Sequence, residues 1–181
     1  MWKQVAGSGV VAVAAIVILA ASFVAAGGLV ASAQTGTAGR AATGEPAIAT
    51  SDYEVDGVKV ALLSVQRVSD GTVTVKWQYS NDTDEPKRLG ESFTGMGSSE
   101  AYSLAYHAYL TDVRDNMKYP VLKDTRGEPV AAKHAAGKVV VLGPHKTLSS
   151  WAKFMAPPPG TTKVSVYIPG AQPFEDVPIH P

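Results

Sequence analysis

Residues 58–80 read VKVALLSVQRVSDGTVTVKWQYS, and this stretch decides the fold class. Val58, Val60 and Leu62 alternate with Lys59, Ala61 and Leu63, Ser64 continues the first face, and Val65 and Val68 carry the apolar content onward. Beyond the pair Asp70-Gly71, Val73, Val75, Trp77 and Tyr79 take one face while Thr72, Thr74, Lys76 and Gln78 take the other. A period of two marks a half-buried β-strand, because successive side chains point to opposite sides of the backbone. Asp-Gly between two such runs is the strongest short-range hairpin signal, since both residues tolerate the positive φ of a tight turn. The stretch predicts an antiparallel hairpin.

Downstream, residues 81–86 close the second strand with polar turn formers. Residues 86–101 carry little pattern; Gly90, Gly95, Gly97 and paired serines predict a surface loop of a length that is usually functional or disordered. Tyr102, Leu104, Tyr106, Ala108 and Leu110 alternate with Ser103, Ala105, His107, Tyr109 and Thr111, which predicts a long strand with an aromatic inner face. Further strands are expected at 117–123, 139–142, 148–156, 163–168 and 174–179, with Pro173 and Pro178 keeping the last at an edge. About seven or eight strands at spacings near ten residues, and no segment of helical period, predict an all-β fold. The expected architecture is an antiparallel immunoglobulin-like β-sandwich over residues 52–181, with a small barrel as the alternative.

Upstream the character changes. No charged residue occurs between Lys3 and Arg40, the run from Val10 to Ala26 is apolar except for Ser22, and Ala31-Ser32-Ala33 places small residues where a signal peptidase reads. Residues 1–33 therefore predict a secretory signal cleaved before Gln34, or a retained membrane anchor, since the uncharged run exceeds the ~20 residues that span a bilayer. Lys3 precedes the run, so either reading exports everything beyond residue 34. No cysteine is present to accept a lipid, and no Arg-Arg pair suggests twin-arginine export. Residues 34–51, dominated by Gly, Ala, Thr and Ser, predict a flexible linker.

The 181 residues hold 16 Lys+Arg against 16 Asp+Glu, a formal net charge of zero. That balance lacks the basic footprint with which proteins neutralise phosphates, so nucleic acid is not an expected partner. One ordinary domain fits beyond the linker, and at that size it needs neither disulfide nor metal to fold.

Several fragments together carry a likeness. Leu110-Thr111-Asp112, Lys118-Tyr119 with Leu122, Leu142-Gly143-Pro144, Trp151-Ala152-Lys153-Phe154 with Pro157-Pro158, Val164-Ser165-Val166, Ile168-Pro169-Gly170 and the run from Pro173 to Ile179 resemble bacterial exported immunoglobulin-like domains of uncharacterised role. Some of those domains stand ahead of OmpA-type peptidoglycan-binding modules. The resemblance spans about residues 55 to 180 and implies an extracytoplasmic sandwich of the cell envelope. With Pro181 as the last residue, no following module is expected, and no catalytic residues come with the family.

The chemistry-bearing residues are sparse. His107, His134, His145 and His180 show no metal-ligand spacing and read as loop or strand histidines. Asp82, Asp84 and Glu85, and separately Asp112 with Asp115, lack the repeated spacing of a calcium loop and read as turn residues. Ser150 and Lys153 match Ser-x-x-Lys, but on a strand they point to opposite faces. No Gly-rich phosphate loop follows a strand, so no cofactor is expected. Asn81-Asp82-Thr83 matches a glycosylation acceptor. Trp77, Trp151, Phe154, Tyr102 and Tyr106 are spaced as core residues. Phe93 and Tyr109 fall outside that pattern, and His107 sits beside Tyr109 on the polar face; these three are the candidate surface contacts.

No catalytic, cofactor or metal residue is expected, and the chain reads as a non-catalytic exported binding or structural module. Its expected partner is an envelope or extracellular protein or glycan, with the membrane touched only through an uncleaved N-terminal segment. The alternative is a small extracytoplasmic hydrolase whose site only the fold assembles, from two or more of His107, Asp112, Asp115 and His145. Intact mass tests the export reading: the expected species begins at Gln34 in the medium or retains Met1 in washed membranes. Recovery only from the cytosol would refute it.

Overall fold

The computed structural model describes residues 46–69, 71–93, 100–112, 114–134 and 139–181. The signal or anchor segment 1–33 and linker residues 34–45 lie outside the described residues. Among the described residues no helix is long and apolar enough to cross a membrane.

Ten strands follow in chain order: β1 (Ala49–Asp52), β2 (Val58–Ser69), β3 (Thr72–Asn81), β4 (Lys87–Leu89), β5 (Tyr109–Asp112), β6 (Met117–Pro120), β7 (Val140–Leu142), β8 (Thr147–Met155), β9 (Lys163–Tyr167) and β10 (Phe174–Pro178). They form a four-stranded sheet of order β1-β2-β3-β8, a second of order β10-β9-β5-β6, and a two-stranded ribbon of β4 with β7. Every pairing within these sheets is antiparallel. The strand count exceeds the expected seven or eight because β1 and β4 are four- and three-residue pieces too short to show a period. β1 begins inside the stretch read as linker, where Ala49 to Asp52 pair with Leu62 to Lys59.

The predicted hairpin forms, with Ser69 opposite Thr72. Asp70 lies outside the described residues, and Gly71 does not take a positive φ. Val73, Val75, Trp77 and Tyr79 are fully buried, as their alternation requires. β2 keeps phase only as far as Leu62: the register then skips Leu63 and resumes at Ser64, so the next buried residue is Val65. One extra residue in a strand flips the side chains that follow it to the other face.

The buried faces of both four-stranded sheets feed one core, which joins Val60, Leu62, Val75, Trp77, Tyr79 and Phe154 of the first to Leu110, Val164, Val166, Phe174 and Val177 of the second. The sheets are also joined through their backbones. Past β6, Val121 bridges Phe154 and the Leu122 amide donates to the Lys153 carbonyl at 2.8 Å. Past β10, the His180 amide donates to Val65 O at 2.9 Å and its carbonyl accepts from Arg67 N at 2.7 Å. Extensions of one sheet thereby cover edges of the other, which would otherwise be templates for pairing with foreign strands.

Two expectations for the connection between β3 and β5 are corrected. Residues 86–101 contain β4 and two short 3-10 turns, Glu91–Phe93 and Glu100–Tyr102, where a patternless loop was expected. Residues 102–108 are a helical turn and not the start of a long strand: the Tyr102 carbonyl accepts from the amides of Ala105 and Tyr106, both at 2.9 Å. Ser103, Leu104 and Ala105 are consecutively buried, out of step with the alternation expected of a half-buried strand. The alternation of this segment is overridden by its anchorage, since Tyr79 Oη donates to the Leu104 carbonyl at 3.1 Å. In β8, Trp151 points outward and is 38% exposed, so it is not the core residue its neighbours suggest.

The same anchorage includes Tyr53, whose ring meets that of Tyr79 edge to face at 5.3 Å and whose Oη accepts the buried Gly90 amide at 3.2 Å. Gly90 has φ of 81°, and a Cβ there would stand 3.0 Å from Ser103 Oγ and 3.2 Å from Leu104 Cδ2. Tyr53→Phe should therefore cost about 1–3 kcal/mol by orphaning that amide. Gly90→Ala should cost at least as much through its left-handed backbone and the crowding at Ser103 and Leu104. Urea unfolding checks both, with a lower midpoint and an unchanged slope expected.

Candidate functional site

β5 lies between β6 and β9, so the side chains on its outward face are flanked from both sides. Tyr109 opens that face, opposite Pro120 of β6 and Tyr167 of β9. Its ring stacks on Tyr167 at 4.4 Å with an interplanar angle of 11°, and Lys118 Nζ stands 3.7 Å from its centroid. Just before it, in the turn that anchors β5, Tyr106 and His107 meet edge to face at 5.0 Å. Lys123 Nζ stands 5.3 Å from the Tyr106 ring.

These residues surround a cleft of about 430 Å³ lined by Tyr106, His107, Ala108, Tyr109, Lys118, Pro120, Val121 and Lys123. Among the described residues the lining holds two lysines and no carboxylate, a local excess of positive charge in a chain whose net charge is zero. Each lysine is steadied by the π-face beneath it, an interaction worth about 0.5–1 kcal/mol at an exposed site. That is too little to immobilise an ammonium group but enough to bias it toward the cleft.

Two of the three expected surface contacts, His107 and Tyr109, thus converge. Tyr109 is closed on its ring faces by Lys118 and Tyr167, which leaves its edge and hydroxyl for contact. Phe93 ends the 3-10 turn Glu91–Phe93, and its side chain lies outside the described residues. Sequence reasoning missed Tyr106, Lys118, Lys123 and Tyr167. Only the register that sets Tyr109 opposite Tyr167 and Pro120 brings them together, and register is not written in any one strand.

The remaining candidates go elsewhere. Asp112, at the far end of β5 from His107, is buried; its carboxylate accepts from Thr161 Oγ1 at 2.6 Å and from the Arg114 amide at 3.0 Å. The Thr161 hydroxyl, with the Arg114 amide and guanidinium, holds this carboxyl below the usual range against the opposing effect of burial. His145 lies 2.8 Å from Asp84, and Asp82 pairs with Lys59 at 3.7 Å, so these carboxylates diverge into separate contacts. Among the described residues no three His, Asp or Glu side chains are grouped to hold a metal.

Asn81, the glycosylation match, is 1% exposed. Its amide donates to the carbonyls of Glu85, Leu142 and Gly143, and its Oδ1 accepts from the amide and hydroxyl of Thr83. It acts as a staple between the loops after β3 and β7 and is shielded from modification in the folded chain. Ser150 and Lys153 face opposite ways across β8, as alternation predicts. Ser150 is buried and lies 3.0 Å from His134 Nε2. Burial lowers the pKa of that imidazole, which favours its neutral form.

Compared with protein-family models, with curated proteins and with solved structures, the chain matches none.

The half-buried His134 and the buried Asp112 both contribute to the acid limb of stability. For His134, whose folded pKa is depressed, the unfolded chain takes the proton more readily, so stability is full above about pH 6.5 and falls as pH drops below it. Asp112 is likewise depressed, and its contribution is lost as pH falls below about 4. His134→Gln should remove the upper part of the acid limb and Asp112→Asn the lower part. Urea midpoints measured from pH 3 to pH 8 check this; an unchanged limb in either variant refutes that assignment.

Proposed function

We propose that this chain is an exported, non-catalytic immunoglobulin-like binding module of the bacterial cell envelope or extracellular space, which engages its ligand through the Tyr106–Lys123 cleft. The strand orders support the sandwich. β2-β3-β8 facing β10-β9-β5-β6 corresponds to immunoglobulin strands A-B-E facing G-F-C-C′, with β1 as an added edge strand. In that correspondence the segment before β5 is the B–C connection, and the chain after β9 is the F–G connection. Both reach the end of the sandwich where immunoglobulin variable domains carry their binding loops. Export rests on the uncharged apolar run and the Ala31-Ser32-Ala33 site.

The observation that carries the proposal is the cleft itself: two lysines poised over tyrosine rings, with no acid among the lining residues. The binding reading is favoured over the hydrolase alternative because the named candidates do not gather at one place: Asp115 donates its amide to the Asp112 carboxylate, His107 lies beyond the other end of β5, and His145 is engaged with Asp84.

The chain has no cysteine, so one introduced thiol is unique. A photocrosslinker on Pro120→Cys, inside the cleft, should give a mass-shifted product with envelope fractions. The same probe on Met155→Cys, exposed in the other sheet, should give none. Equal labelling from both positions, or from neither, would refute the cleft as the contact surface.

A further inference from the structure

We infer that residues 131–134 are an acid-released strap over the outer edge of β8, clasped shut by His134 in its neutral form. The inference stands apart from what the cleft binds. β8 pairs with β3 along one edge and needs cover along the other, since an unpaired edge is a template for a foreign strand. Two pieces of the chain beyond β6 supply that cover. In the first, Val121 bridges Phe154 and the Leu122 amide donates to the Lys153 carbonyl at 2.8 Å. In the second, Ala131 bridges Ala152 and the Ala132 amide donates to the Trp151 carbonyl, also at 2.8 Å.

The two pieces are not held alike. Val130 is tied from both sides: its amide donates to the Leu122 carbonyl at 2.8 Å, its carbonyl accepts from the Lys153 amide at 2.9 Å, and Pro129 before it bridges Lys123. Beyond Val130 the strap buries two alanine side chains and part of an imidazole, so little apolar area resists its lifting. Its end is fastened by His134, whose Nε2 lies 3.0 Å from Oγ of the buried Ser150 and whose amide donates to the Ala101 carbonyl at 2.9 Å. Lys133 adds a weak contact, its Nζ standing 5.1 Å from the centroid of the Tyr102 ring. Val130 is thus the hinge and His134 the clasp.

A proton on that imidazole works against the clasp. The Ser150 hydroxyl is neutral, and a neutral partner does not offset a charge withdrawn from water. The charged and titratable residues on the surrounding elements are Lys133 on the strap, Lys153 on β8, Lys76 on β3, and Glu100, Tyr102 and His107 in the turn that carries Ala101. Burial lowers the pKa of His134 in the closed strap, whereas an imidazole released to water titrates near its ordinary value of about 6.5. The open strap therefore holds the proton more tightly. Its population is smallest above about pH 6.5 and rises by up to about tenfold per pH unit below that, levelling once the closed-strap pKa is passed.

The test is hydrogen exchange of the full chain in non-ionic detergent, read amide by amide by NMR as protection factors, so that the intrinsic pH dependence of exchange cancels. Between pH 7.5 and pH 5 protection should fall by up to about tenfold at Ala132 and His134, whose amides close the strap, and hold at Leu122, Val130 and Trp77. His134→Gln should abolish that step whether it leaves the strap closed or open. His145→Gln, a change at an exposed imidazole engaged with Asp84, should leave the step intact. In the unaltered chain the His134 ring signals should titrate with a midpoint below about 6.5. Equal protection at both pH values overturns the inference, as does a loss shared by Val130 and Trp77. A step that survives in His134→Gln, or a ring midpoint at or above about 6.5, overturns it too.

Discussion

The arrangement depends on two buried tyrosines. Tyr53 and Tyr79 meet edge to face, and each spends its hydroxyl on a backbone group of the segment between β3 and β5: Tyr53 on the Gly90 amide, Tyr79 on the Leu104 carbonyl. Burial pushes the pKa of both phenols well above their ordinary value, so they stay protonated. A segment crossing the top of a core would otherwise bring unpaired amides and carbonyls with it, each costing about 1–3 kcal/mol. With those groups satisfied, the turn at 102–108 is fixed. Tyr106 and His107 are thereby delivered to the rim of the cleft and Tyr109 to the start of β5.

The parts of the fold that were legible in the sequence are those where local period and burial agree. β3 is the clearest case, because every second residue is buried and no bulge interrupts it. β2 was legible to Leu62 and then lost phase at Leu63, since a bulge leaves no compositional mark. The segment 102–110 misled because alternating aromatics also satisfy a helical turn when their backbone is tied to a core tyrosine. Trp151 misled in a similar way. It sits between the inward-facing Ser150 and Ala152, and residue size alone does not say which phase of a strand faces in.

The candidate site was legible only as isolated members. His107 and Tyr109 stood out because they broke the apolar phase of a predicted strand, but the lysines that give the cleft its sign gave no signal. Lys118 and Lys123 look like ordinary surface charges until the β5–β6 register sets the first over Tyr109 and the turn places Tyr106 beside the second. Charge balance over the whole chain concealed the local excess, and two acidic groups close in sequence are engaged elsewhere: Asp112 with Thr161, and Asp124 with Arg126.

The edge strand β1 has a mechanical consequence. It contributes no fully buried side chain, and after the Ile48 amide bond to the Leu62 carbonyl its four pairs to β2 are the next contacts met by a pull arriving through the residues before Pro46. β2 keeps its opposite edge paired with β3 along nearly its whole length, so the core does not open when β1 peels away. In a chain held by its N-terminal segment, detachment of those four residues lengthens the tether by roughly 13 Å. The pairing of β2 with β3 and of β3 with β8 then remains to carry the load.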